Sequence, residues 1–351
     1  TYAAHTAREI YVHKFMTANP FLTGSAVDLP LVRQNSYLQA ELVFPDGDTT
    51  ADSSWQTSPD KVAVLSSGGK DSLLTYGLLD EIGCEVHPLF VNESGRHWFT
   101  ALNAWRHFKD GVPHSSKVWT DADRLFSWML SHLPFIRTDY SRVRADIYPV
   151  RLWTVAVFIF GVLPLVRRRG IGRVTIGNEY DSSSRQTHSG ITHYAAVYDQ
   201  SRWFDQALSR FFQRKGWRVH QFSVLRHCSE LLIEKILVER YPELQRHQVS
   251  CHAAHKDEAS GRILPCGKCE KCRRIVGMLS ALGAAPEQYV PSDEELLDAA
   301  LDLAAGLQPL GQSALSAFDD PLLLADVVGL LLHQLLTLVE RSLAIAQLVA
   351  V

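Results

Sequence analysis

The sequence has neither a Walker A loop (G-x-x-x-x-G-K-S/T) nor the G-x-G-x-x-G fingerprint of dinucleotide sites, so two widespread glycine-loop phosphate signatures are excluded. It lacks a strong charge of either sign. Lys and Arg number 35 against 38 Asp and Glu, a formal −3, and apart from Arg167, Arg168 and Arg169 the arginines are scattered, leaving no electrostatic footprint for nucleic acid. No convincing membrane span stands out: the most apolar central stretch, 152–166, is too short, is interrupted by Pro164, and reads as a buried helix. The opening residues carry no cationic, apolar leader, and the expected compartment is the cytoplasm. Cysteine is sparse. Of six, four crowd between Cys251 and Cys272, which suits a metal site in a reducing compartment and not a disulfide framework.

What is present is the composition of a globular protein: 351 residues, 46% hydrophobic and 21% charged, enough for one large or two ordinary domains with a substantial core. The rest is arranged around 61–79, KVAVLSSGGKDSLLTYGLL. Its first five residues have the look of a buried parallel strand, the next five form a glycine turn, and Leu73, Leu74, Leu78 and Leu79 recur at helical spacing. Gly68 and Gly69 let successive N–H groups and the positive end of the following helix converge on one point, where a phosphate would sit.

Strand and helix then alternate. Strands are expected at 85–92, 117–120, 173–176 and 219–222, and helices at 98–108, 121–133, 148–168, 201–215 and 229–240. This is the pattern of an α/β fold with a doubly wound parallel sheet, in which ligands bind beyond the carboxyl ends of the strands. Asn92, at the end of the second strand, is a candidate for adenine or ribose contacts. The polar segment 177–183, with Glu179 and Asp181, follows another strand end, and Arg226 offers a charge near the same rim. The stretch 187–200 reads as a loop bearing His193, a candidate general base because imidazole titrates near neutrality. Ser223 and Ser229 are read as caps for the helix at 229–240.

Cys251, Cys266, Cys269 and Cys272 are the second strong signal. Two residues between successive thiols let a turn present them to one tetrahedral ion, and Cys251 supplies the fourth ligand of an all-cysteine zinc site; an iron–sulfur cluster is the chemical alternative. A closed thiolate set leaves no position for water, so the metal is expected to be structural. Cys84 and Cys228 read as buried thiols. Beyond, 294–307 and 321–351 are leucine- and alanine-rich, with the character of helices that pack on the body or on a second subunit.

The hexapeptide S-G-G-K-D-S at 67–72 resembles the SGGxDS signature of the PP-loop (N-type ATP pyrophosphatase, adenine nucleotide alpha hydrolase-like) superfamily, with all five fixed positions matched. The resemblance implies ATP with its phosphates on Ser66, Ser67, Gly68, Gly69, Lys70, Asp71 and Ser72. Asp71 and Ser72 would help to hold Mg²⁺ and the β and γ phosphates. A small-molecule carboxylic acid would be adenylated with release of pyrophosphate. Lys70 stands at the variable position, where its charge would neutralise phosphate or point to solvent.

Loop and cysteines together resemble the 7-cyano-7-deazaguanine synthase (QueC-like) group. The shared parts are the loop, Tyr148-Pro149-Val150-Arg151, the segment 177–181 set against the group's Gly-x-x-Glu-x-Asp, and the C…CxxCxxC knuckle, in that order. The chain is similar as well to the ATP-dependent epimerase of UDP-N-acetylmuramoyl-L-alanyl-L-glutamate. There the likeness lies in Asn178-Glu179, in the stretch 222–230 from Phe222 to Glu230, in the Cys-x-Lys-Cys-Arg turn, and in a domain ahead of the loop. The first resemblance implies an amide or nitrile product and the second an epimer. A nucleotide-binding module without turnover is the non-enzymatic reading. The expected division is an N-terminal extension over 1–60, the ATP-binding domain over 61–250, the zinc knuckle over 251–283, and C-terminal helices over 284–351 that pack on the body or form a homo-oligomer. No nucleic acid or membrane partner is expected.

Overall fold

Residues 23–24, 54–92, 95–142, 154–188, 191–194, 198–251 and 253–284 are described by the computed structural model. The segment 37–44, which reads as a strand in the sequence, and the helices expected at 294–307 and 321–351 lie outside the described residues. The apolar run of the sequence becomes the centre of β1 (Ser58–Ser66), which leads through a short turn into α1 (Lys70–Glu81) and then β2 (Glu85–Asn92). There follow α2 (Gly95–Gly111), β3 (Ser116–Trp119), α3 (Ala122–Ser131), α4 (Thr154–Arg169) and β4 (Ile171–Thr175). A hairpin of β5 (Arg185–His188) and β6 (Ile191–Tyr194), α5 (Arg202–Arg214) and β7 (His220–Phe222) complete the sheet region.

β1 is central because it is apolar on both faces. Ala63 and Leu65 turn to one side, where they pack with Leu89 and Val91 of β2, Val174 of β4, and Ile159, Val162 and Phe212 of α4 and α5. Val62 and Val64 turn to the other, against Leu79 of α1 and Val86. Two-residue periodicity thus feeds two separate cores, as a sheet covered on both faces requires. The strand order is β3-β2-β1-β4-β7, and each neighbouring pair is parallel. Winding proceeds from β1 out through β2 to β3, then restarts beside β1 with β4 and ends on β7. The reversal lies between β1 and β4, and the crevice beyond the carboxyl ends of those two strands is where such sheets take ligands.

The segment expected as a loop at 187–200 is partly a hairpin. β5 and β6 pair antiparallel, with His188 opposite Ile191, so only Ser189 and Gly190 separate the paired ends. Its strands are polar and show no alternation, and the Ser-Gly connection is the one signal the sequence offers. α4 holds Pro164 within its length and buries Val155, Ile159, Val162 and Val166. Among the described residues no helix is long and apolar enough to cross a membrane.

The chain divides into two compact units. The first contains the sheet. The second comprises Gly68–Lys70, Phe99–Ala104 and Leu231–Val351, described as far as residue 284. It holds most of α6 (Glu230–Arg240), α7 (Pro242–Gln245), the two-residue strands β8 (His255–Lys256) and β9 (Ile263–Leu264), and α8 (Glu270–Ala281). Two small apolar clusters lie within it. Ile275, Val276 and Leu279 of α8 pack with Val238, and Val249, Ala254 and Ile263 pack with Phe99 and Leu102.

Candidate active site and metal centre

The turn between β1 and α1 is built on Gly68, whose φ of +78° is a left-handed conformation that side chains with a Cβ resist. The position also has no room. A Cβ there would stand 2.8 Å from the Thr100 carbonyl oxygen and 2.9 Å from Ala101 Cα, both backbone. Val249 donates its N–H to the Gly68 carbonyl at 3.0 Å. At either side of the turn the Ser66 hydroxyl donates to that of Ser72 at 3.0 Å, and both are buried. Asp71 lies in the first turn of α1, and Thr75 one turn later donates its hydroxyl to the Asp71 carbonyl at 2.7 Å. Lys70 is 5% exposed, which removes the solvent-pointing alternative for its side chain.

The other side of the crevice is the segment that leaves β4. A Cβ on Gly177 would fall 2.6–2.8 Å from Cβ, C and O of Asp71, so the 177–181 loop and the start of α1 touch with only hydrogen between them. The loop is pinned from behind by the chain that follows β7. Ile176 N–H donates to Phe222 O at 3.3 Å, the Ser223 hydroxyl to Asn178 O at 2.7 Å, and Tyr180 N–H to Cys228 O at 3.1 Å. Ser223 also accepts from Leu225 N–H, so it ties the loop down and does not cap α6.

Three buried polar atoms near these strand ends have no hydrogen-bond partner: Oδ1 of Asn92, Oγ1 of Thr175 and Nδ2 of Asn178. Asn92 and Thr175 are the last residues of β2 and β4, and Asn178 follows three residues after Thr175. Each orphan costs on the order of 1–3 kcal/mol unless a ligand or water meets it, so these three atoms are candidates to meet a ligand at the rim. Thr175 is a candidate that sequence reasoning missed, and Asn178, named there only for the likeness to the epimerase, becomes one through its burial.

Arg226 is engaged within the chain. Nε and Nη2 donate to Oδ2 of Asp205 at 2.9 and 2.6 Å, and Nη1 donates to the Ser182 hydroxyl at 2.8 Å and the Gln200 carbonyl at 2.7 Å. All three guanidinium nitrogens are engaged, so Arg226 is a staple under the turn Asp181–Ser183 and not a rim charge. Burial pushes the Asp205 carboxyl up even against the pull of Arg226. Glu179 is half-buried and its carbonyl accepts from the Ser182 hydroxyl at 2.6 Å; Asp181 is exposed at the start of that turn. His193 lies in β6 opposite Gln186.

Cys251, Cys266, Cys269 and Cys272 converge. Their sulfurs stand 3.2 Å (251 to 266), 3.6 Å (251 to 269), 3.5 Å (269 to 272) and 3.9 Å (266 to 272) apart. A single tetrahedral ion with metal–sulfur bonds of about 2.3 Å sets its ligands about 3.8 Å apart, so the four thiols fit one ion. A disulfide would need about 2.05 Å, and all four are free. Gly267, at φ +71°, turns the chain between the second and third ligands, and Cys269 and Cys272 sit at the N-cap and first turn of α8, whose positive end favours thiolates. Without a cation the crowding is unfavourable. Contact with Cys269 and burial lift the Cys251 thiol to about 11, and Cys272 is raised by Cys251 and Cys269.

A second group, Glu85, His87 and His114, has ligand atoms close enough for an ion but is organised as a staple. Arg169 Nη1 stands 3.5 Å from Nδ1 of the buried His87, so the ring proton is on Nε2, donated to Glu85 at 2.9 Å. Lys61 pairs with the same Glu85 oxygen at 3.0 Å. Lys61, Arg169 and the ring proton already engage Glu85 and both nitrogens of His87, and a metal would have to displace them.

No protein-family model matches the chain, and no curated protein sequence does either. Among solved structures, a predicted subunit of tRNA methyltransferase from Methanocaldococcus jannaschii is 16% identical over 66% of this chain and 92% of its own, with a TM-score of 0.33. The U34-tRNA thiolase NcsA from Methanococcus maripaludis, with its [4Fe-4S] cluster, is 16% identical over 53% of this chain and 60% of its own, with a TM-score of 0.31. The α/β assignment rests on the strand order of this chain itself.

Proposed function

We propose that the chain is an ATP pyrophosphatase of the PP-loop kind, which adenylates a substrate carboxylate. The observation that carries this is the close approach of Gly177 to Asp71: the two loops at the reversal of the sheet meet where the glycine turn and the first N–H groups of α1 would receive a triphosphate. Lys70, buried at the turn, would add a cation there, and Asp71 and Ser72, in the first turn of α1, would help to hold Mg²⁺. The substrate carboxylate oxygen attacks the α phosphorus, the bond to the bridging α–β oxygen breaks, and pyrophosphate leaves with that oxygen. Backbone N–H groups at the start of α1 stabilise the charge that develops on it. The thiolate centre is a structural zinc site, since four thiolates at the spacing of one tetrahedron leave no open position.

Two fates of the acyl adenylate are supported by the resemblances already given: displacement by ammonia towards an amide or nitrile, and epimerisation at the neighbouring carbon. One geometric point favours the second. The segments that carry the likeness to the epimerase, Asn178-Glu179 and 222–230, are joined to each other by the Ser223 to Asn178 and Tyr180 to Cys228 bonds. Incubation with labelled ATP, Mg²⁺ and a panel of carboxylic acids tests the reading. Pyrophosphate and AMP are expected with the true acid, together with either a mass change or inversion of configuration at constant mass. ADP and phosphate would replace this reading with another nucleotide chemistry, and no turnover with any acid would leave the binding module. Asp71→Ala is expected to lower pyrophosphate release by roughly 100-fold or more, as loss of a group that acts in the transition state does, with the fold intact by circular dichroism. Release at the wild-type rate would remove Asp71 from the chemistry.

A further inference from the structure

The phosphate turn is not held by the sheet alone. Gly68–Lys70 belong to the same compact unit as the cysteines, and the contacts that fix Gly68 lead back to the metal centre by two routes. By the first, Val249 grips the Gly68 carbonyl with its N–H, and Val249 is two residues before Cys251. By the second, the backbone of Thr100 and Ala101 lies directly against Gly68, and three residues after Thr100 the buried Asn103 side chain closes two hydrogen bonds with one residue of the knuckle hairpin. Its Nδ2 donates to Ile263 O at 2.7 Å and its Oδ1 accepts from Ile263 N–H at 3.0 Å. Ile263 is three residues before Cys266. The same residues share a core, since Val249 and Ile263 pack with Phe99 and Leu102.

From this geometry we infer that metal loading of the four thiolates sets the conformation of the phosphate turn, with Asn103 and the Val249 N–H as the positioning groups between them. This rests on the reading of 66–72 as the triphosphate site. Four sulfurs at 3.2–3.9 Å stand at about the spacing one ion sets, and as thiolates they repel one another without it. When the ion leaves, Cys251 and Cys266 separate, Val249 and Ile263 move with them, and both supports of Gly68 are withdrawn. The metal therefore has a second task beyond its own knuckle: it keeps the turn in the one shape that admits phosphate. By linkage, the factor by which zinc tightens triphosphate binding is the factor by which triphosphate tightens zinc.

The experiment measures ATP and AMP affinity by equilibrium dialysis on the full chain, zinc-loaded, stripped with a chelator, and reloaded. Stripping is expected to weaken ATP about tenfold or more while AMP, which lacks the β and γ phosphates, changes little, and reloading restores the difference. Unchanged ATP affinity after stripping, or ATP and AMP falling together as general unfolding would make them, overturns the inference. Asn103→Asp keeps the acceptor for Ile263 N–H and sets an oxygen against the Ile263 carbonyl. It is expected to lower the ratio of ATP to AMP affinity several-fold, either with zinc retained or with zinc lost and both recovered on adding excess zinc. A ratio equal to wild type removes Asn103 from the connection. Zinc-loaded protein that binds neither nucleotide refutes the triphosphate reading itself, an outcome distinct from equal ATP binding with and without zinc.

Discussion

Gly177 shows how much can depend on one hydrogen atom. Its backbone is not left-handed, so alanine there would be tolerated by the turn itself; what forbids it is Asp71, whose Cβ, carbonyl carbon and oxygen lie within 2.8 Å of the would-be methyl. Backbone atoms at the start of a helix do not step aside cheaply. Gly177→Ala is therefore expected to push the two loops apart, costing about 1–3 kcal/mol of stability by overpacking and lowering adenylation far more than Gly261→Ala, where nothing stands within 4 Å of the new atom and the cost is that of a left-handed φ alone. Denaturant midpoints and pyrophosphate release of the two variants make the comparison; equal losses of activity would show that contact with Asp71 is irrelevant.

A second residue-scale consequence concerns protons. Burial holds the His87 imidazole below its ordinary 6.5, assisted by the charges of His114 and Arg169 and opposed by Glu85. The unfolded chain takes up a proton near its ordinary value of about 6.5 that the folded ring refuses until lower pH. The stability contributed by this group is complete above about pH 6.5 and is lost as pH falls towards the folded value, with a slope of at most about 1.4 kcal/mol per pH unit. Denaturant titrations of wild type and His87→Gln between about pH 8 and 5, which bracket that value, are expected to diverge, with the variant the flatter. Parallel curves would mean that His87 is protonated alike in both states.

At the scale of elements, α4 is started by a residue that lies 44 positions beyond Val155. Asp199, itself buried, accepts from the N–H of Val155 at 3.0 Å and of Ala156 at 3.4 Å with Oδ2, supplying from another loop what a neighbouring N-cap side chain ordinarily supplies. Asp199→Ala is expected to cost about 1–3 kcal/mol, since it leaves buried donors unmet as well as removing a charge from the positive end of the helix. A thermal midpoint within about 1 °C of wild type, a shift smaller than such a loss would produce, would deny it this role. The distance in sequence explains what is and is not legible. β1, the glycine turn and α1 can be read because each is specified by its neighbours: an apolar run, two glycines, leucines at helical spacing. The tetrathiolate centre is legible for the same reason in its triplet. Arg226 misleads because its partner, Asp205, is 21 residues away on α5, and nothing in the local sequence says that the guanidinium is already engaged. The hairpin β5–β6 escapes because its polar strands print no alternating pattern.

For the molecule as a whole, the two units differ in what holds them. The sheet unit has cores on opposite faces of one apolar strand and needs no cofactor to explain its stability. The second unit buries Val249, Ala254, Ile263, Ile275, Val276 and Leu279 in two clusters, with Ile233, Leu237 and Leu244 besides, and adds a tetrathiolate centre, where metal binding is coupled to folding. Amide hydrogen exchange should therefore separate them. Chelation is expected to leave the protection of β1, β2 and β4 nearly unchanged and to raise exchange across α8 and the β8–β9 hairpin. The informative peptides are 66–72 and 99–104, far from the cysteines in sequence but assigned in part or whole to their unit. If the turn is shaped by the metal, Gly68–Lys70 and Phe99–Ala104 lose protection together with the knuckle, while the rest of α1 and β1 on either side does not. Loss confined to 231–284 would make the metal a local staple, and loss spread evenly over the sheet would make the chain a single cooperative body.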